Sequence, residues 1–116
     1  MLMSNPQLSQ EVQQKVAEYQ QIQTQIRTIR MQIDSTQRQT SESKQTLKEI
    51  KSLDSSTEIY KSSGSILFIS SIDKVQADLE DSVEYLDIQL QKLNKRETEM
   101  NNKLKKLEQD LSTNLQ

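Results

Sequence analysis

EIYKSSGSILFISS, residues 58–71, decides how the rest of the chain is read. It holds the only glycine, Gly64, the only phenylalanine, Phe68, and the one clear β-type run. On either side lies a long segment with no glycine and, after Pro6, no proline. The order is helix, short hairpin, helix. Strand one is expected over about Glu58–Ser62 and strand two over about Ser65–Ser70, with Ser63-Gly64 as the turn because glycine takes positive φ freely. Ile66-Leu67-Phe68-Ile69 makes the second strand apolar on both faces. One face can pack on the helix ends, and the other needs a second cover. A lone two-stranded hairpin is marginal in water, and its edges carry unpaired N–H and C=O groups. Pairing with hairpins from other subunits answers both needs, so the hairpin reads as an assembly element.

The flanking arms follow a 4-3 spacing. In the first it runs Leu8, Val12, Lys15, Tyr19, Ile22, Ile26, Ile29, Ile33, Thr36, Thr40, Ser43, Leu47, Ile50. In the second it runs Ile72, Gln76, Leu79, Val83, Leu86, Leu90, Leu93, Glu97, Met100, Leu104, Leu107, Leu111, Asn114. A narrow apolar seam on a charged background is the pattern of a coiled coil. Ser4 or Asn5 caps the first arm, with Pro6 in its first turn. Asp54-Ser55-Ser56-Thr57 is a turn cluster that ends it. Ser71 or Asp73 caps the second. The expected bounds are helix about 6–53, hairpin about 58–70 and helix about 72–113. If the chain reverses at the hairpin, the seams meet antiparallel. Ile50 then lies near Gln76, Ile33 near Leu93, Ile22 near Leu104, Tyr19 near Leu107 and Glu97 opposite Ile29. The polar stretch Thr36-Thr40-Ser43 predicts a loosely held middle. Such a pair has no thick core, so a lone chain is marginally stable and assembly supplies the rest.

At 116 residues there is room for one domain. Only 32% of the residues are hydrophobic, less than a compact globule of this size carries, so the stripe and not a thick core must do the folding. There is no Cys and no His, which removes thiol chemistry, disulfides and the commonest zinc ligands and bases. Asp78, Asp81 and Glu84, and likewise Lys103, Lys105 and Lys106, read as solvated faces, so neither a metal site nor a nucleic-acid site is expected. No cofactor and no enzyme activity are expected. The net charge of −2 offers no attraction to nucleic acid or an acidic membrane. The longest apolar run, Ile66–Ile69, is far short of a membrane span, and the start MLMSNPQ lacks the features of a signal peptide. A soluble, cytoplasmic protein is the expectation.

The chain resembles the β-type subunits of prefoldin, most like the archaeal form, over nearly its whole length. The resemblance is carried by LKEIKSLDSSTEIYKSSGSILF at the centre and by VEYLDIQLQKLNKRETEMNNKLKKLEQDL in the second arm. Ile59-Tyr60-Lys61 followed by Gly64 and an apolar strand matches the family's I/V-Y-K-x-x-G pattern. The resemblance implies a single prefoldin-like domain over 1–116: two long antiparallel coiled-coil helices joined by one hairpin that enters an intersubunit β-barrel. It implies a hexamer of two alpha-type and four beta-type chains. It also implies an ATP-independent holdase that binds unfolded proteins at the coiled-coil tips and passes them to a group II chaperonin. On that footing Ile59, Tyr60, Gly64, Ile66, Leu67, Phe68 and Ile69 form the oligomer interface. Met1, Leu2, Met3, Leu8, Val12, Val16, Leu107, Leu111 and Leu115, at the end away from the hairpin, meet clients, with methionine suited to irregular partners. The competing expectation is a structural coiled-coil spacer or tether that oligomerises through its hairpin.

Overall fold

A computed structural model describes residues 6–115, with side chains from Gln10 to Thr113. The order is α1 (Pro6–Lys51), β1 (Ile59–Ser63), β2 (Ile66–Ser70) and α2 (Ile72–Leu115). Pro6 opens α1, where its missing N–H costs nothing. The expected caps Ser4 and Asn5 lie outside the described residues. Lys48 and Lys51 occupy the last turn of α1, where a positive charge suits the carbonyl end of the helix.

The first helix closes slightly before the expected Leu53. The Ser52 and Leu53 N–H groups donate to the carbonyls of Glu49 and Ile50 at 3.2 and 3.1 Å, a tightened last turn. The polar cluster that follows is a turn, as its composition predicts. The Ser56 N–H donates to Asp54 Oδ1 at 3.3 Å, and the Thr57 N–H to the Asp54 carbonyl at 2.9 Å. At the start of α2 the Lys74 N–H donates to Ser71 Oγ at 3.1 Å. Ser71 is therefore the cap, and Asp73 sits in the first turn beside the exposed N–H groups.

The chain divides into two compact units. The first joins Met1–Ile33 with Lys92–Gln116. Its core is Ile22, Ile26 and Leu107, with Tyr19, Met100 and Leu104 packed against them. Two polar contacts bracket this core. Tyr19 Oη donates to Glu108 Oε1 at 2.9 Å, and Arg30 Nε donates to Glu97 Oε2 at 3.2 Å. Both fit the antiparallel register expected from the seams, one position from Tyr19–Leu107 and from Ile29–Glu97. Glu97 shows how a polar seam residue is accommodated. Its stem stays in the seam while its carboxylate turns outward to Arg30, which is itself mostly exposed.

The second unit is Asp34–Gln91, which contains the hairpin. Its buried apolar residues are Ile50 and Ile72, with Leu47, Leu79, Val83, Leu86 and Leu90 half-buried. Thr40 is buried as well, and its hydroxyl donates to the Thr36 carbonyl at 2.8 Å. The polar seam position is satisfied within its own helix, so it carries no unpaired-group penalty but adds little apolar gain. Across the described residues no buried side-chain nitrogen or oxygen lacks a partner.

The two strands pair antiparallel, from Ile59 opposite Ser70 to Ser63 opposite Ile66. This register corrects the expected turn: the two-residue loop is Gly64-Ser65, not Ser63-Gly64. Gly64 has φ 61°, and Ser65 does not take positive φ. Positive φ at the first loop residue alone is the type II′ pattern, whose twist matches that of the flanking strands. Both readings use the same glycine; strand pairing chooses between them.

Candidate functional site

Side chains alternate across a strand, so the pairing sorts the hairpin into two faces. Ile59, Lys61, Ser63, Ile66, Phe68 and Ser70 share one. Ile59 is half-buried there, and Lys61 Nζ lies 3.6 Å from Asp78 Oδ2 of α2. That face therefore turns toward the helices at the hairpin end. Tyr60, Ser62, Leu67 and Ile69 share the other face, where Tyr60 pairs with Ile69.

Neither face is covered at the second strand. Ile66, Leu67 and Ile69 are 65%, 69% and 67% exposed, and Phe68, opposite Lys61, is 42% exposed. Ile66 and Phe68 leave one face of the strand apolar, and Leu67 and Ile69 the other, whereas exposed apolar residues on a monomer are normally scattered singly. The sheet has only two strands, so the outer edges of both have no strand neighbour among the described residues. The sequence expectation left one face to pack on the helix ends. In the structure only Ile59 and Ser70, at the base of the hairpin, are even half-buried.

A cleft of about 410 Å³ opens beneath the hairpin, lined by Ile50, Ile59, Val75 and Leu79 together with Lys61 and Asp78. Lys51 Nζ and Glu80 Oε1 are 3.9 Å apart beside it. These ion pairs are exposed and contribute little to stability. The Lys61–Asp78 pair fixes which way the hairpin faces more than how tightly it is held.

The other unit carries the start of α1 and the end of α2. Val16 is 39% exposed, Val12 and Leu111 are half-buried, and Leu107 is buried with Ile22 and Ile26. Leu107 thus offers no free surface while the helices are paired. Met1, Leu2 and Met3 lie outside the described residues. Leu8 and Leu115 fall within the helices, but their side chains are outside the described set. In the same unit the Tyr19 phenol is raised above its ordinary value near 10.0, first by donating to Glu108, then by partial desolvation and by the carboxylate's charge.

Among the described residues no three acidic side chains gather as a metal group would require. No described helix is long and apolar enough to cross a membrane.

Comparison with known proteins matches these features. The model for prefoldin subunits covers residues 13–116. The chain belongs to the prefoldin family. It is 31% identical over 97 residues to the prefoldin beta subunit of Thermococcus kodakarensis, covering 84% of this chain and 83% of that one. It is 29% identical over 105 residues to the prefoldin beta subunit of Pyrococcus abyssi, covering 90% of each. The crystal structure of the prefoldin beta subunit from Thermococcus strain KS-1 superposes with a TM-score of 0.82 at 29% identity, over 97% of this chain and 96% of that one. The beta2 subunit from the same strain gives a TM-score of 0.70 at 25% identity, over 78% and 97%. Membership in this family brings a chaperone-associated role and a place in a prefoldin complex with other subunits. The two helices and single antiparallel hairpin are the prefoldin beta fold.

Three exposed apolar residues escaped the sequence reading: Met31, Tyr85 and Ile88. The signal was present. Each falls outside the 4-3 seam, and a large apolar side chain there has no partner helix to cover it.

Proposed function

We propose that this chain is the beta-type subunit of a hexameric prefoldin with two alpha-type and four beta-type chains. The assembly is an ATP-independent holdase in the cytoplasm that keeps non-native proteins from aggregating and delivers them to a group II chaperonin. The observation that carries the reading is the uncovered strand Ile66–Ile69, on a hairpin with both edges open. Such a strand suits a subunit that shares a sheet with its neighbours; a spacer that oligomerises through its hairpin would use it too, so the helix tips separate the two readings. Ile59, Tyr60, Gly64, Ile66, Leu67, Phe68 and Ile69 form the subunit interface, Gly64 through the turn that aligns the strands.

Clients bind at the unit that lacks the hairpin, where Val16 is already exposed and Val12 and Leu111 partly so. Leu8 and Leu115, assigned to the same site by their place in the sequence, lie further along these helices, and Met1, Leu2 and Met3 precede Leu8 in the chain. Leu107 joins only if the helix ends part. Several weak apolar contacts from separate chains add up by multivalency. The test is removal of the first nine and last six residues, the stretches that hold Met1 to Leu8 and Leu111 to Leu115. The shortened chain should still assemble with an alpha-type subunit but lose suppression of client aggregation. Unchanged suppression would overturn the assignment of the client site. A full chain that suppresses no aggregation even when assembled would favour the spacer.

A further inference from the structure

Charge is divided between the two units. Residues 34–91 carry eleven acidic and six basic side chains, a net charge of −5. The other unit carries six acidic and nine basic, a net charge of +3. Within the acidic unit a groove of about 520 Å³ runs beside the seam. Ser43, short at a seam position, and Ser82, beside the seam, both line it and leave it open. Leu86 and Tyr85 form its apolar wall, and Glu42 and Asp81 stand on its rim. Tyr85 is 63% exposed, and Ile88, one turn further along the same helix, is also exposed. Asp78 and Glu80 have lysine partners, but among the described residues neither Glu42 nor Asp81 is in an ion pair.

We propose that this groove holds a basic, apolar-containing stretch of an extended polypeptide. The inference rests on the holding function above and adds a second site with its own preference. A lysine or arginine side chain matches the lining. Its aliphatic stem lies along Leu86, its cationic head meets Glu42 and Asp81, and the Tyr85 ring faces the cation. A neighbouring apolar side chain of the same stretch covers Ile88. Nucleic acid is repelled by the charge of this unit, and an acidic peptide likewise. Non-native chains whose basic segments are exposed are therefore held at two places, and acidic ones at one.

Fluorescence anisotropy on the full chain tests this, with a labelled extended peptide of alternating lysine and leucine as probe and its glutamate–leucine counterpart as control. The basic peptide should bind, with affinity falling as salt rises, and the acidic one should not. Glu42→Gln with Asp81→Asn should weaken binding about five- to tenfold, and Tyr85→Ala about threefold. Glu49→Gln with Asp54→Asn removes the same charge from the same unit outside the groove and should change affinity by less than about twofold. Equal losses from the two double variants would overturn the proposal in favour of diffuse attraction. Equal binding of the acidic peptide would overturn it too. Salt-sensitive self-association of the full chain by analytical ultracentrifugation, abolished by Glu42→Gln with Asp81→Asn, would assign the groove instead to the basic unit of a second copy. The end-deleted chain keeps every groove residue, so its aggregation assay tests the holding reading separately.

Discussion

Replacing Leu67 with aspartate separates the lone chain from the assembled one. Leu67 is 69% exposed, opposite Ser62 on the hairpin face turned from the helices. In the lone chain the substitution removes little packing and costs at most about 1 kcal/mol, mainly through the poor fit of aspartate to a strand. In the proposed assembly the same position is covered. Full burial of a leucine is worth about 1.5–3 kcal/mol, so the share still exposed is worth about 1–2 kcal/mol on assembly. The carboxylate adds a desolvation cost of several kcal/mol when nothing pairs with it. Together these reach about 4 kcal/mol or more per interface, roughly a thousandfold in affinity. Native mass spectrometry after mixing with an alpha-type subunit reads the assembly, and circular dichroism melting reads the chain alone. The expected result is a lone-chain melt lowered by a few degrees at most, and no complex at concentrations where the unaltered chain assembles fully. A complex of unchanged affinity would refute the reasoning, because it would leave the face of Leu67 in water. A collapsed lone-chain melt would refute it differently, by showing that the strand supports the helices.

Gly64→Ala should weaken the hairpin by roughly 1–2 kcal/mol, through backbone strain alone, because a Cβ there meets nothing within 4 Å. Helicity of the lone chain should stay constant while the midpoint of assembly with an alpha-type subunit shifts upward in concentration. Glu97→Leu should stabilise the lone chain by about 1 kcal/mol, since apolar seam burial outweighs an exposed ion pair with Arg30; a lower Tm would show that the pair matters more than the packing. The Tyr19–Glu108 bond favours the neutral phenol, so its contribution is complete below the ordinary tyrosine value near 10.0 and lost as pH rises through the higher folded value. Tm of the unaltered chain should fall relative to a Tyr19→Phe variant only above that ordinary value, and a divergence at neutral pH would contradict the geometry.

Much of the fold is local and was legible in the residues. Helix formation needs no distant information where glycine and proline are absent and a stripe repeats at 4-3 spacing. Every described seam position, from Val12 to Ile50 and from Ile72 to Leu111, is buried or half-buried, including the polar ones Lys15, Thr36, Gln76 and Glu97. The hairpin was legible for the same reason, because one glycine between two β-type runs leaves few alternatives. The cap of α2 was not decided, since Ser71 and Asp73 are both good acceptors, and the Lys74 N–H reaches only Ser71. The turn shifted by one residue because either loop position suits glycine, and the pairing of Ser63 with Ile66 settled which.

The candidate sites divide along the same line. That Ile66–Ile69 would need a cover followed from alternation along a strand, with no knowledge of what lies nearby. That nothing among the described residues supplies that cover is a tertiary fact. It depends on Lys61 meeting Asp78 and on the helices ending where they do. The groove beside Tyr85 was invisible for a related reason. Its wall and rim come from Gln39 to Ser43 on one helix and Asp81 to Leu86 on the other. Their meeting depends on antiparallel register, which spacing alone only proposes. By itself, then, the sequence determined the two helices, the hairpin and the seam, because those depend on neighbours a few residues apart. Only the tertiary structure decided which apolar and charged groups stay in water, because exposure depends on what the rest of the chain fails to cover.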